Sequence, residues 1–363
     1  MTLNATPAID QFAETVVQWQ KRAGRHGLPW QGTRDPYRIW LSEIMLQQTQ
    51  VSTVIGYYER FLGRFPTLQA LAQATQDDVM PYWAGLGYYA RARNLHRCAQ
   101  ELCTNWQGQF PRDVNEIMQL PGIGRSTAAA IAAFSYGERS PIMDGNVKRV
   151  FTRYFGIYGH PSVRATEQLL WKTAEKVVAT APASLDMAAY TQGLMDLGSS
   201  CCARSRPECA ACPLNDHCYA HLNAKQHELP TPKQKKVSDE RQCKMLILQN
   251  HESVLLEQRP SPGIWGGLWS LPQYDDVDGL NNACRNWGQS PIPAQKMAAL
   301  LHTFSHFKLH IEPWHVRCTT PILSEPLSNQ AWISISELEQ TALPAPVKKI
   351  LNGLFAKMPL DLA

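Results

Sequence analysis

Five of the ten cysteines fall between Cys201 and Cys218, and four of these, Cys202, Cys209, Cys212 and Cys218, are spaced C-x6-C-x2-C-x5-C. Four thiolates in one short loop can hold zinc or an iron–sulfur cube, so this stretch is stapled by a metal and not by its own small core. The spacing matches neither common ferredoxin run and does not choose the metal. Cys201 stands apart, because adjacent cysteines rarely both point at one centre. A secreted disulfide scaffold would spread its cysteines more evenly over a shorter chain. Met1 to Asp10 has neither a basic start nor an apolar core, so the expectation is a reducing, cytoplasmic setting.

At 363 residues the chain is too long for one core and is expected to form two or three domains. A net charge of +4 permits a polyanionic partner without requiring one. No apolar run reaches the ~18 residues that a membrane span needs, so no membrane partner is expected. Helical periodicity dominates up to the cysteines, with helices expected over 8–24, 36–50, 51–61, 67–74, 76–83, 127–136, 164–180 and 184–199. His221 to Gln242 is polar, carries Pro230, Pro232, Lys233, Lys235 and Lys236, and reads as a linker. Beyond it, Met245–Leu248 and Val254–Arg259 read as strands, and Pro346–Phe355 as a closing helix, giving an α/β region.

Leu120-Pro121-Gly122-Ile123-Gly124-Arg125-Ser126 separates a short helix capped by Asp113 from an Ala-rich one. Pro121 stops the first helix and the glycines let the backbone turn. The product is a helix–hairpin–helix whose bare amides suit a phosphate. Gly85-Leu86-Gly87-Tyr88-Tyr89-Ala90-Arg91-Ala92-Arg93 adds aromatics beside cations, the ingredients of base stacking and backbone binding.

Two carboxyls stand out. Glu43 follows Trp40 by three residues on one helix face, where lost hydration is expected to raise its pKa. Asp144 opens Asp144-Gly145-Asn146 at a helix start, where amide donors are expected to keep it ionised with a lowered pKa. Carboxyls pushed apart in this way suggest an acid and an anionic stabiliser.

In this order the motifs Trp40–Gln50, Gly85–Arg93, Leu120–Thr127, Asp144–Val150 and the cysteine loop resemble the MutY-type adenine DNA glycosylases of the helix–hairpin–helix superfamily. The likeness continues through Trp265-Gly266-Gly267-Leu268-Trp269 and His302–Phe307. It implies a multidomain fold, an all-α helix–hairpin–helix glycosylase core with a [4Fe–4S] loop and an α/β Nudix-like domain that recognises 8-oxoguanine. The implied boundaries are 1–222 for the catalytic region, with 30–140 as its six-helix part and 1–29 plus 141–222 bearing the cluster. Residues 223–241 would then be the linker and 242–363 the Nudix-like domain.

The resemblance also implies the chemistry: a monomer that flips adenine, mispaired with 8-oxoguanine or guanine, out of double-stranded DNA and cuts its N-glycosidic bond. Glu43 would protonate the base, Asp144 would stabilise the sugar cation, and Asn146 would arrange Asp144 and the water. Gln48 and Tyr88 would intrude into the duplex, Leu46 would wedge it, Trp30 would wall the adenine pocket and Gln192 would meet the base edge. Gly122 and Gly124 would hold a phosphate, Phe304, Ser305 and His306 would read the opposite base, and Cys202, Cys209, Cys212 and Cys218 would ligate the cluster. In endonuclease III-type relatives a Lys stands where this chain has Ser126. A hydroxyl forms no Schiff base, so base removal without efficient strand cleavage is expected. No REx2EE run follows Gly266-Gly267, which argues against nucleotide hydrolysis. The rival readings are a bifunctional glycosylase/lyase, a metal-stabilised DNA-binding module without chemistry, and an electron carrier.

Overall fold

Asp35 and Pro36 start the helix that carries Glu43. The Asp35 carboxylate accepts from the Tyr37 N–H at 2.9 Å, and Pro36 takes the first helical position, where no amide is needed. The computed structural model describes residues 8–233, 239–289, 294–304, 306–318, 322 and 324–355. Its first helices are α1 (Ile9–Ala23), α2 (Pro36–Leu46), α3 (Val51–Arg64), α4 (Leu68–Gln73), α5 (Gln76–Trp83) and α6 (Ala90–Asn105). Then come α7 (Val114–Gln119), α8 (Arg125–Tyr136), α9 (Gly145–Phe155), α10 (Arg164–Thr180), α11 (Met187–Ser199) and the short α12 (Tyr219–Leu222).

The chain divides into two compact units, residues 1–73 with 97–235, and 74–96 with 236–363. In the first, α1, α8, α9, α10 and α11 surround one apolar cluster that includes Phe12, Val16, Ala130, Phe151, Leu170 and Leu197. Phe12 meets Phe151, Tyr154 and Phe155 at ring-centroid distances of 5.4, 4.7 and 5.5 Å. The alanines of α8 are buried from Ala128 through Ala133, and their small side chains let α2 pack closely across that helix. Two glycines of α11 serve the same end. A Cβ on Gly193 would lie 2.7 Å from Val16 Cγ1 of α1, so larger side chains would push α1 and α11 apart.

One helix ends earlier than its periodicity suggests. The 36–50 helix stops at Leu46, because Gln48 takes a left-handed φ of 55° and the Thr49 N–H turns back to the Leu46 carbonyl at 3.2 Å. Val51 therefore begins α3 and does not extend the Trp40–Ile44–Gln47 face.

The second unit is built on strands β1 (Asp239–Asn250), β2 (Ser253–Gln258), β3 (Trp269–Ser270) and β4 (Gln273–Tyr274). Further along come β5 (Gln295–Lys296), β6 (Leu300–Thr303), β7 (Phe307–Arg317) and β8 (Gln330–Ser334). The path runs β3-β2-β1-β7-β5, with β4 on β1, β6 on β7 and β8 on β2. The β1–β7 pair is parallel from Asp239↔Phe307 to Gln249↔Arg317. Helix α13 (Val277–Asn286) covers it through Leu280 and Cys284, packed with Leu246, Leu248 and Val316, and α14 (Ala345–Phe355) closes the chain.

Candidate active site

The loop from Arg25 to Arg34 forms one wall of a cavity of about 500 Å³. Helix α2 contributes Ile39, Ser42, Glu43 and Leu46, and α11 contributes Ala189, Gln192 and Met195. The volume lies in the range of small-molecule pockets, about 300–1,000 Å³. Trp30 is buried in this wall, with its ring edge-on to Tyr58 at 5.4 Å. Gln31 folds the loop on itself: its Nε2 donates to the Arg25 carbonyl at 2.9 Å and its Oε1 accepts from the Leu28 N–H at 3.0 Å. The expected residues Trp30, Glu43, Leu46 and Gln192 thus share one cavity.

Glu43 is half-buried here, and its carboxyl is pushed up to about 8, first by burial and second by the negative charge of Asp144. Asp144 caps α9 in extended backbone, its Oδ1 accepting from the Val147 N–H at 2.7 Å. The expectation of a lowered pKa for Asp144 is corrected by the structure. Burial raises it, outweighing the amide bonds from Val147 and Asn146 and the charges of Arg149 and Lys148. The two carboxyls are therefore shifted the same way, and what separates them is order. Asp144 has compensating donors, whereas burial and the Asp144 charge both hold the proton on Glu43. Asp144 does not itself line the cavity; its charge reaches Glu43 from the start of α9.

Asn146 donates its backbone amide to Asp144, and its Oδ1 accepts from Arg149 Nη2 at 2.8 Å. Arg149 also reaches the Gly198 carbonyl of α11 and, through Nε, the Cys202 carbonyl at 2.7 Å. Ser126 Oγ accepts from the Met143 N–H at 3.0 Å, which pins the residue before Asp144. The hairpin glycines are exposed, Gly122 at φ 77° and Gly124 as the cap of α8, and their amides have no partner among the described residues. Gln48 is exposed in its left-handed turn.

The second unit holds the remaining expected residues. Tyr88 is exposed at φ 49°. Phe304 stacks on Phe307 at 4.4 Å and 17° and contacts His302 at 4.6 Å and Trp265 at 5.6 Å. His306 lies exposed beside this aromatic cluster, 6.4 Å from Phe304. Ser305 lies outside the described residues.

Cys202, Cys209, Cys212 and Cys218 line one small cavity with Cys201 and Arg153. Arg153 Nη1 donates to Cys202 Sγ at 3.2 Å, and backbone amides point at the Cys212 and Cys218 sulfurs. A cation and amide donors aimed at sulfur fit thiolate ligands. Four thiols in one loop can hold either zinc or an iron–sulfur cube, and the donor set fits both.

Several residues that shape the site escaped the sequence. Arg25 and Asp196 are far apart in the chain, yet Arg25 Nε meets Asp196 Oδ1 at 2.6 Å. A lone Asp among Leu194, Met195 and Leu197 was the available signal. Arg149 and Arg153, four apart on α9, point to the cysteine loop only once both are folded.

Residues 41–176 match the model for the HhH-GPD superfamily of base excision DNA repair proteins, and residues 244–353 match a NUDIX domain. The adenine DNA glycosylase of Buchnera aphidicola subsp. Baizongia pistaciae is 38% identical over 94% of this chain and 96% of its own. The Homo sapiens enzyme of that name is 30% identical over 97% of this chain and 75% of its own. A solved thermostable thymine-DNA glycosylase aligns with a TM-score of 0.53 at 28% identity, covering 59% of this chain and 97% of that one. Helical core, α/β second unit and full-length similarity agree: the chain belongs to the adenine DNA glycosylase family.

Proposed function

We propose that the protein removes adenine mispaired with 8-oxoguanine or guanine from duplex DNA, acting as a cytoplasmic monomer that works with the nucleoid. In this reading 1–222 is the catalytic region, 223–241 a linker and 242–363 the domain that reads the opposite base. The flipped adenine enters the cavity between Trp30 and α11. Glu43 gives its proton to N7, the C1′–N9 bond breaks with its electron pair leaving on adenine, and ionised Asp144 stabilises the sugar cation. Water then adds to C1′, aligned with Asn146, and its proton returns to the Glu43 carboxylate.

Gln48 and Tyr88 enter the duplex beside the lesion and Leu46 wedges it. Their left-handed backbone fits the first two for this, since strain of this kind gathers where a side chain must project. Gly122 and Gly124 take a phosphate, Gln192 meets the base edge, and Phe304, Ser305 and His306 read 8-oxoguanine, Phe304 and His306 from within an aromatic cluster. Cys202, Cys209, Cys212 and Cys218 hold a [4Fe–4S] cluster, which when bound supplies structural rigidity to the phosphate-contacting loop. Ser126 offers no amine, so the activity is monofunctional.

The observation that carries the reading is the half-buried Glu43 in a base-sized cavity, its carboxyl raised by burial and by Asp144. The test is a duplex with a single adenine:8-oxoguanine pair, sampled before and after alkali. Breakage at the adenine only after alkali is expected. Breakage without alkali would establish a lyase, and no breakage under either condition would overturn the assignment.

A further inference from the structure

Asp196 is a buried charge that the chemistry above does not use. It is 2% exposed on α11, among Leu194, Met195 and Leu197, and such a charge is costly unless its lone pairs are met. Oδ2 accepts from the Arg25 backbone N–H at 2.9 Å and Oδ1 from Arg25 Nε at 2.6 Å. Oδ1 also accepts from Gln192 Nε2 at 2.9 Å. Arg25 alone would neutralise the charge, so the bond to Gln192 asks for a separate account.

We propose that Asp196 is a specificity-positioning residue: by taking the NH2 of Gln192 it turns the Gln192 carbonyl oxygen toward the cavity. The site then receives a purine with an amino group on its edge and rejects one with a carbonyl there. This rests on the reading of the cavity as the adenine pocket.

A carboxylate only accepts hydrogen bonds, so it can meet only the NH2 end of the amide. The flipped amide would set two acceptor oxygens against each other at hydrogen-bond distance. Gln192 lines the cavity, and its Oε1 has no partner among the described residues. Gln192 and Asp196 lie four apart on α11, so the arrangement is held within one helix. Adenine presents N6–H2 as a donor where a 6-oxopurine presents an acceptor. A pocket built around one hydrogen bond discriminates strongly, since the wrong base leaves a polar group unpaired.

The test is single-turnover release of adenine and of hypoxanthine from matched duplexes by the full-length protein. In Asp196→Asn the amide oxygen can keep the Arg25 backbone N–H only with its NH2 at the Oδ1 place, where it gives up the Arg25 Nε bond and offers a donor to Gln192, which turns the Gln192 NH2 inward. The adenine-to-hypoxanthine rate ratio is expected to fall at least about tenfold. In a Gln192→Met background the same substitution is expected to leave the ratio unchanged, because no amide remains to turn. An equal loss for both bases in Asp196→Asn, or an equal ratio change in both backgrounds, would overturn the proposal. If Asp196→Asn does not fold, the wild-type side-chain amide of Gln192 decides. Nitrogen-edited NMR, assigned by loss of the signal in Gln192→Met, should show one downfield, slowly exchanging proton, and a freely averaging pair would reject the idea. Wild-type protein that releases no adenine would instead defeat the pocket assignment itself.

Discussion

Gly198 of α11 lies directly against Asn146 of α9: a Cβ on Gly198 would sit 2.5 Å from Asn146 Cβ and 2.8 Å from its carbonyl oxygen. Those contacts are with the Cβ and backbone of the residue two after Asp144, so they leave no room for adjustment by a flexible side-chain end. Gly198→Ala is expected to push the start of α9 away from α2. The overpacking costs about 1–3 kcal/mol of stability, and a displacement near 1 Å lowers adenine release by about 10²-fold. Single-turnover rates beside duplex affinity check this. A variant with normal rate would show that the contact does not set the Asp144 position.

Glu43 and Asp144 give the protein a distinctive pH dependence. The acid must be protonated while Asp144 is charged, so the rate should fall as pH rises through about 8. Stability moves in the same direction. Glu43 titrates near 4.5 in the unfolded chain and about 8 in the folded one, so the folded state binds the extra proton between those values. Stability from this group is complete below about 4.5 and is lost as pH climbs to about 8. Glu43→Gln should flatten the basic end of a melting-temperature profile and cut adenine release about 10²–10⁴-fold. A wild-type profile that stays flat between about pH 5 and 8 would contradict the raised carboxyl.

Asp144→Asn tests the coupling directly. The amide can still accept from the Val147 N–H, so the cap survives while the charge is lost. Because that charge is one of the two causes raising Glu43, the Glu43 titration should shift toward acid, followed by carboxyl infrared absorption. No shift would mean that burial alone sets it.

Ser126 has a structural task as well as a negative chemical one. Ser126→Ala leaves the Met143 N–H without its acceptor, at a cost of about 1–3 kcal/mol if the amide stays dry. Neither the wild type nor this variant should be trapped on DNA by borohydride, since neither offers an amine at this place. A trapped wild-type complex would point to another lysine and to lyase activity.

The cysteine loop is tied to α9 by Arg149 at the Cys202 carbonyl and by Arg153 at the Cys202 sulfur. Removing the proposed cluster should therefore loosen Asp144 as well as the loop, and adenine release should fall together with the brown colour that such a cluster would give. Arg153→Gln should hasten loss of that colour in air. A colourless preparation with one zinc per chain would refute the cluster.

Local rules made much of the architecture legible. The Asp35-Pro36 and Asp113 caps, the Pro121–Gly124 turn and the alanine-rich α8 follow from chain-neighbour chemistry, as does the run of cysteines. Glu43 was legible in part: its place on an apolar helix face foretold the raised carboxyl, while the Asp144 charge that adds to it comes from a remote element. The sequence alone could not settle the Asp144 titration. That depends on whether distant groups exclude water faster than nearby amides donate, and burial won. Nor could it pair Arg25 with Asp196 or bring Gly198 against Asn146. Such relations join elements remote in the chain, and desolvation, close packing and side-chain orientation are fixed only when those elements meet.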